Sequence, residues 1–133
     1  MSKVAAVIER IESVDTLHIV TFGCETAQLK MMSLELGDAM CEGAQVLLHI
    51  KPTAVAVGKG DTGKLSIINR IDAVVAAVEK GKLLCRLDLA CLGTTLEAIV
   101  TTEAAEAMGL RQGDTVTALV KAADIAIERV SDA

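Results

Sequence analysis

Hydrophobic and polar residues alternate with a period of two along much of this chain. In Leu83 to Leu92 the odd positions are Leu83, Cys85, Leu87, Leu89 and Cys91, while the even ones include Arg86 and Asp88. That is the pattern of a strand with one buried face. A turn at Gly93 leads to a second strand, Leu96 to Thr101, and Gly23 leads similarly to Ala27 to Met31. The same register in the first half places Leu17 and Ile19 inward and His18 outward. A short helix is expected next. Thr102 caps it, Glu103 suits its positive end, Ala104, Ala105 and Ala107 favour it, and Gly109 stops it. Its weaker counterpart, Ser33 to Met40, is interrupted by Gly37. After a turn at Gln112-Gly113-Asp114 or Glu42-Gly43-Ala44 comes an apolar strand ending at Lys121 or Lys51. A last short strand, Ile125 to Ile127 or Thr53 to Val57, closes each half.

The two halves match at an offset of 70 residues without a gap, pairing Val4/Val74, Ala6/Ala76, Glu9/Glu79, Leu17/Leu87, Gly23/Gly93, Gly43/Gly113, Val46/Val116, Lys51/Lys121 and Ala56/Ala126. The glycine and lysine pairs weigh most, because glycine marks turns and the lysine interrupts an apolar strand in both halves. The chain therefore reads as two copies of one small β unit: residues 1–57, a Gly-rich linker at 58–64, and residues 65–133. Strands around one short helix per repeat imply an all-β fold of tandem Greek-key barrels. The first copy is expected to borrow the strand led by Ser66, since its own opening is absent.

Composition narrows what such barrels do. The chain has 133 residues, 52% of them hydrophobic, a net charge of −5, and Phe22 as its sole aromatic. A single-stranded nucleic-acid groove needs basic residues and stacking rings, and a sugar site needs Trp or Tyr platforms, so neither ligand fits and no direct nucleic-acid contact is expected. The Met1-Ser2-Lys3 start lacks a signal-peptide core and no apolar run approaches membrane-span length. Membrane insertion is therefore not expected, and the reading is a cytoplasmic protein. The cysteines at 24, 41, 85 and 91 lack Cys-x-x-Cys or Cys/His ligand spacing, so they read as small buried thiols.

Two lookalikes are set aside. Gly58 and Gly63-Lys64 satisfy Gly-x4-Gly-Lys, but position 65 is Leu where a phosphate loop needs Ser or Thr, and no long helix follows. His18 and His49 sit in no metal or triad pattern, and no paired carboxylates stand out, so an enzyme is not expected.

More specific are Leu65-Ser66-Ile67-Ile68-Asn69-Arg70-Ile71, then Thr101-Thr102-Glu103, then Gly109-Leu110-Arg111-Gln112-Gly113-Asp114, and finally Thr117-Ala118-Leu119-Val120-Lys121-Ala122. Together these resemble the TOBE/Mop family of oxyanion-binding domains across residues 65 to 127. The resemblance implies an OB-fold-like barrel used in tandem, with molybdate or tungstate as the bound ligand between barrels. It implicates Ser66, the backbone at Ile68 and Asn69, Thr101, Lys121 and Ala122, contributed from more than one chain, and hence a homodimer or higher homo-oligomer.

The chemistry is coherent, since a tetrahedral dianion needs several converging neutral donors and a countercharge. A bland alternative for Lys121 is a side chain snorkelling at the barrel rim. The sequence departs from the family pattern in places. Ile68 stands where an Arg is common; Met31 stands at the position of Thr101; Pro52 follows Lys51 and removes an N–H; and the chain begins too late for a Ser-x-x-Asn opening in the first copy, as a fragment would. Either the first copy is scaffold or Lys51 completes a shared site with Ser66. Two functions remain open: oxyanion binding for homeostasis, sensing or transport regulation, or a ligand-free dimerisation module of a molybdate-type transporter ATPase or transcription regulator.

Overall fold

The computed structural model of the chain describes residues 2–130; Met1 and residues 131–133 lie outside them. It contains two curled antiparallel sheets of five strands. The strands are β1 (Ser2–Val14), β2 (Leu17–Cys24), β3 (Ala27–Ser33), β4 (Gln45–Ile50), β5 (Ala56–Gly58), β6 (Asn69–Lys80), β7 (Leu84–Cys91), β8 (Thr94–Thr101), β9 (Thr115–Val120) and β10 (Ile125–Val130), with one helix, α1 (Thr102–Ala107). The long strands β1 and β6 organise the two sheets. Val4, Ala6 and Ile8 in one and Ile71, Ala73 and Val75 in the other are buried, while the residues between them face out. Each bends at a bulge, between Ile8 and Arg10 and between Val75 and Ala77, and so pairs with a different neighbour on either side. The edge strands β3 and β10 approach one another, as do β5 and β8, which gives the OB-fold-like curl.

The sheets exchange their closing strands. Their orders are β10-β4-β1-β2-β3 and β5-β9-β6-β7-β8, so β5 leaves the first half to pair with β9, and β10 leaves the second to pair with β4. The first sheet thus borrows β10, rather than the strand that follows Ser66, which is central in the second sheet. The linker in sequence is consequently not a boundary between sheets.

The repeat offset also needs correction. Phe22 faces Ile8 and Leu29, and Leu89 faces Val75 and Leu96, an equivalence at 67 residues. Ile50 faces Ser2 and Val120 faces Asn69, so the partner strand β4 matches β9 at 70. The three extra residues of the second half fall between β8 and β9, where α1 forms. In the first half the segment from Leu34 to Ala44 is short, contains Gly37 and makes no helix. The pairs Gly43/Gly113 and Lys51/Lys121 survive: both glycines have positive φ, 89° and 93°, and each donates its N–H to β1 or β6, to Ile8 O and Val75 O at 2.8 Å. Gly23/Gly93 does not survive. Gly93 lies in the β7–β8 turn, whereas Gly23 lies within β2. A Cβ at Gly23 would come 2.5 Å from the Glu9 carboxylate at the bulge.

In the second half Cys85, Leu87 and Leu89 are buried as expected, but Leu83, also expected inward, precedes β7 and is 77% exposed, and Cys91 is only half-buried. In β2 the inward face is instead Val20, Phe22 and Cys24, and Leu17 is exposed, because the 67-residue equivalence reverses the parity inferred at 70. Thr101, not Thr102, caps α1, accepting from Ala104 N at 3.1 Å; Thr102 Oγ1 donates to Gly81 O. Lys59 fastens the chain after β5 to the C-terminal end of α1, donating to Met108 O and Gly109 O and pairing with Asp114 at 3.1 Å. Cations at that end of a helix are favourable.

Candidate functional site

Two pseudo-equivalent polar contacts hold the barrels against each other. Asn69, 1% exposed at the start of β6, accepts from Lys30 N at 2.7 Å and donates to Lys30 O at 2.9 Å. Ser2, its counterpart in β1, accepts from Glu97 N at 2.7 Å. Lys30 and Glu97 are themselves counterparts on β3 and β8. The amide of Asn69 is therefore occupied as a clasp between barrels, and sequence gave no sign of a partner 39 residues away.

Beside this clasp stand most of the residues that the sequence singles out. Asn69 faces Val120, the residue before Lys121. Lys121 is exposed, with extended backbone, and its carbonyl accepts from Asp124 N in the tight turn of Ala122–Asp124. That turn packs against β3, and Ala122 is half-buried. Ser66 and Ile68 are exposed on the loop that leads into Asn69, and Ile68 is 55% exposed. The loop runs into a strand rather than a helix, which agrees with setting the phosphate-loop reading aside.

Thr101 and Lys51 stand elsewhere. Lys80, at the far end of β6 from Asn69, pairs with Cys85, and the adjacent Leu84 pairs with Thr101. The path along β6 is on the order of 30 Å. Lys51 is exposed and precedes the turn Pro52–Ala54, which packs against β8, the strand that ends in Thr101. The strand exchange thus places Lys51 with the Thr101 strand and Lys121 with the clasp made by Asn69. The counterpart of Thr101 in the first half is Leu34, not Met31, whose counterpart is Ala98. The Thr101 hydroxyl oxygen accepts from the helix and keeps its own O–H free to donate.

A residue unnoticed in the sequence completes the region. The Arg70 guanidinium folds back on the loop before it and donates to Gly63 O at 2.8 Å, Leu65 O at 3.3 Å and Ile67 O at 3.4 Å. Two grooves elsewhere suit an anion poorly. One, of about 590 Å³, is lined by Met31, Met32, Leu34, Met40 and Ile125 among others, with Glu35 its only charge. The other, of about 550 Å³, borders Thr101 but carries Glu103 and Glu106 against a single Lys82.

Three of the four thiols are shielded. Cys24 and Cys85 are buried and Cys91 half-buried, and burial, with the Cys24 thiol nearby, pushes Cys91 up to about 11. Cys41 is exposed, contrary to the expectation that all four are buried, because the helix-less segment that carries it turns Leu36, Met40 and Ala44 toward the core and Cys41 outward. Among the described residues no cluster of His, Cys, Asp and Glu is arranged to hold a metal ion, and no helix is long and apolar enough to cross a membrane.

Comparison with known proteins places this geometry. The TOBE domain family matches residues 65–127. A crystal structure of the cytoplasmic molybdate-binding protein ModG with molybdate bound superposes with a TM-score of 0.86 at 23% identity, covering 95% of this chain and 94% of that one. That likeness establishes the fold, tandem OB-fold-like barrels over 95% of the chain. A molybdate-binding protein from Sporomusa ovata is 37% identical over 44% of this chain and 88% of its own, with a TM-score of 0.43. No curated protein sequence matches. Residues 65–127 belong to the TOBE domain family.

Proposed function

We propose that this chain binds a tetrahedral oxyanion, molybdate or tungstate, in the cytoplasm, and serves homeostasis, sensing or transport regulation rather than catalysis. The observation that carries the reading is the coincidence of the TOBE match at 65–127 with the position of Lys121 beside the start of β6, where the loop of Ser66 and Ile68 arrives. Hydroxyl and backbone N–H groups hold a dianion without fixing a large permanent charge, and one ammonium supplies the countercharge. Ser66, the N–H groups at Ile68 and Asn69, Lys121 and the N–H of Ala122 form one half of the site. Thr101, at the far end of β6 from Asn69, and Lys51, which follows Ile50 beside the Ser2–Glu97 contact, form a half that meets the first in a homo-oligomer, so that donors come from two chains. Residues 65–133 carry the fuller donor set, while residues 1–57, with Pro52 after Lys51 and Leu34 opposite Thr101, contribute a poorer one.

A second reading, a ligand-free dimerisation module of a transporter ATPase or regulator, is favoured by that impoverished first half. Calorimetry of the chain against molybdate, tungstate and sulfate separates the two. Saturable heat with molybdate or tungstate supports the binding reading, and its absence at millimolar anion, with no thermal shift, supports the module.

A further inference from the structure

Arg70 is the first outward-facing residue of β6 and is exposed, yet its guanidinium folds back onto the preceding loop. Besides the carbonyls of Gly63, Leu65 and Ile67, its guanidinium reaches Thr62 Oγ1 at 3.5 Å. The three carbonyls belong to alternate residues. No peptide bond among the described residues is cis, and in a trans peptide the N–H of the following residue points opposite to the C=O. Turning the carbonyls of 63, 65 and 67 toward Arg70 therefore turns the N–H groups of Lys64, Ser66 and Ile68 away from it, onto the outer side of the loop. Among the described residues none of these three N–H groups has a backbone acceptor. Asp61 braces the other end of the loop by accepting from Gly63 N at 2.8 Å.

We propose that Arg70 is the positioning residue of the oxyanion site: it holds the loop of residues 62–67 with the N–H groups of Ser66 and Ile68 turned outward and without a backbone acceptor among the described residues, fixed for the anion. The inference rests on the oxyanion reading above. Only a guanidinium fits the task, because gripping three carbonyls needs several N–H groups in a rigid fork, whereas an ammonium is a point donor on a flexible stem. Donors ordered before the ligand arrives need no ordering on binding, which is where the affinity comes from.

The test uses Arg70→Ala and Arg70→Lys in the full chain, with calorimetry against molybdate, thermal unfolding, and amide exchange of residues 62–68 without ligand. Both variants are expected to weaken molybdate binding about tenfold or more. Both should speed exchange at Lys64, Ser66 and Ile68 while leaving the unfolding temperature nearly unchanged, as befits an exposed side chain. Full affinity in Arg70→Lys with loss in Arg70→Ala makes Arg70 a countercharge and overturns the positioning role. Unchanged affinity or unchanged exchange in both variants overturns it as well. No binding by the wild-type chain overturns the oxyanion reading itself, and the positioning role with it.

Discussion

Replacing Asn69 by Ala should loosen the two barrels from each other. The side chain is 1% exposed and makes two short hydrogen bonds to the backbone of Lys30, 2.7 and 2.9 Å, on a strand of the other sheet. Each bond contributes about 1 kcal/mol net, and a buried N–H or C=O left without a partner costs about 1–3 kcal/mol. Because the Lys30 groups are only partly buried, water recovers some of that penalty, and the expected loss is about 2–4 kcal/mol. At about 3 °C per kcal/mol for a chain of this size, the unfolding midpoint falls by about 6–12 °C. Ser2→Ala removes one neutral bond at the pseudo-equivalent point, to Glu97 N, and should cost about 1 kcal/mol. The assay is urea unfolding of wild type and both variants, followed by circular dichroism, with a check that the slopes agree. A loss below about 0.5 kcal/mol for Asn69→Ala, or a larger loss for Ser2→Ala, refutes the clasp.

Other outcomes follow from the same geometry. Lys121→Ala should weaken molybdate binding by about 1.5–3 kcal/mol, the scale of a charge-assisted hydrogen bond, without unfolding the chain; equal affinity by calorimetry contradicts this. Lys51→Ala is the companion measurement: no effect makes the first half scaffold, and an equal effect makes both lysines ligands. The Asp114 carboxyl is held below its usual range by the Arg111 N–H and by Lys59. Its contribution is therefore present above the unfolded pKa of about 3.9 and lost as pH falls through the lower folded value, so Asp114→Asn should flatten the acid limb of a stability-versus-pH curve. Thiol labelling of the native chain at neutral pH should modify Cys41 first, with Cys24, Cys85 and Cys91 protected; mass mapping that finds Cys91 first contradicts the burial described.

Period-two alternation identified most of the strands, because a residue's burial in a curled sheet is a local matter of parity. Cys85, Leu87 and Leu89 are legible one by one, whereas the offset of 70 paired Val4 and Ala6 with the exposed Val74 and Ala76 instead of the buried Ile71 and Ala73. The destination of the closing strands is not legible. Ala56 faces Leu119 and Ala126 faces His49 at equivalent places in the two sheets, so either short strand fits either edge and only the path of the chain decides. The offset of 70 held where glycine turns and the lysine recur, but failed before them, since three residues between β8 and β9 decide whether a helix forms and nothing upstream depends on them. The motif around Lys121, on which the proposed site rests, is readable in the sequence. The role of Arg70 is not, because a side chain that folds back onto its own preceding loop leaves no periodic trace, and the clasp of Asn69 joins residues that only the packed barrels bring together.

The most direct test of the central claim is a crystal structure of the chain soaked in tungstate, with the metal located by its anomalous scattering. A bound oxyanion should give a peak whose oxygens lie within hydrogen-bond reach of Ser66, the Ile68 N–H and Lys121, with Thr101 or Lys51 reaching it from a neighbouring copy. A fully occupied peak remote from Ser66 and Lys121, or none at saturating tungstate, contradicts it.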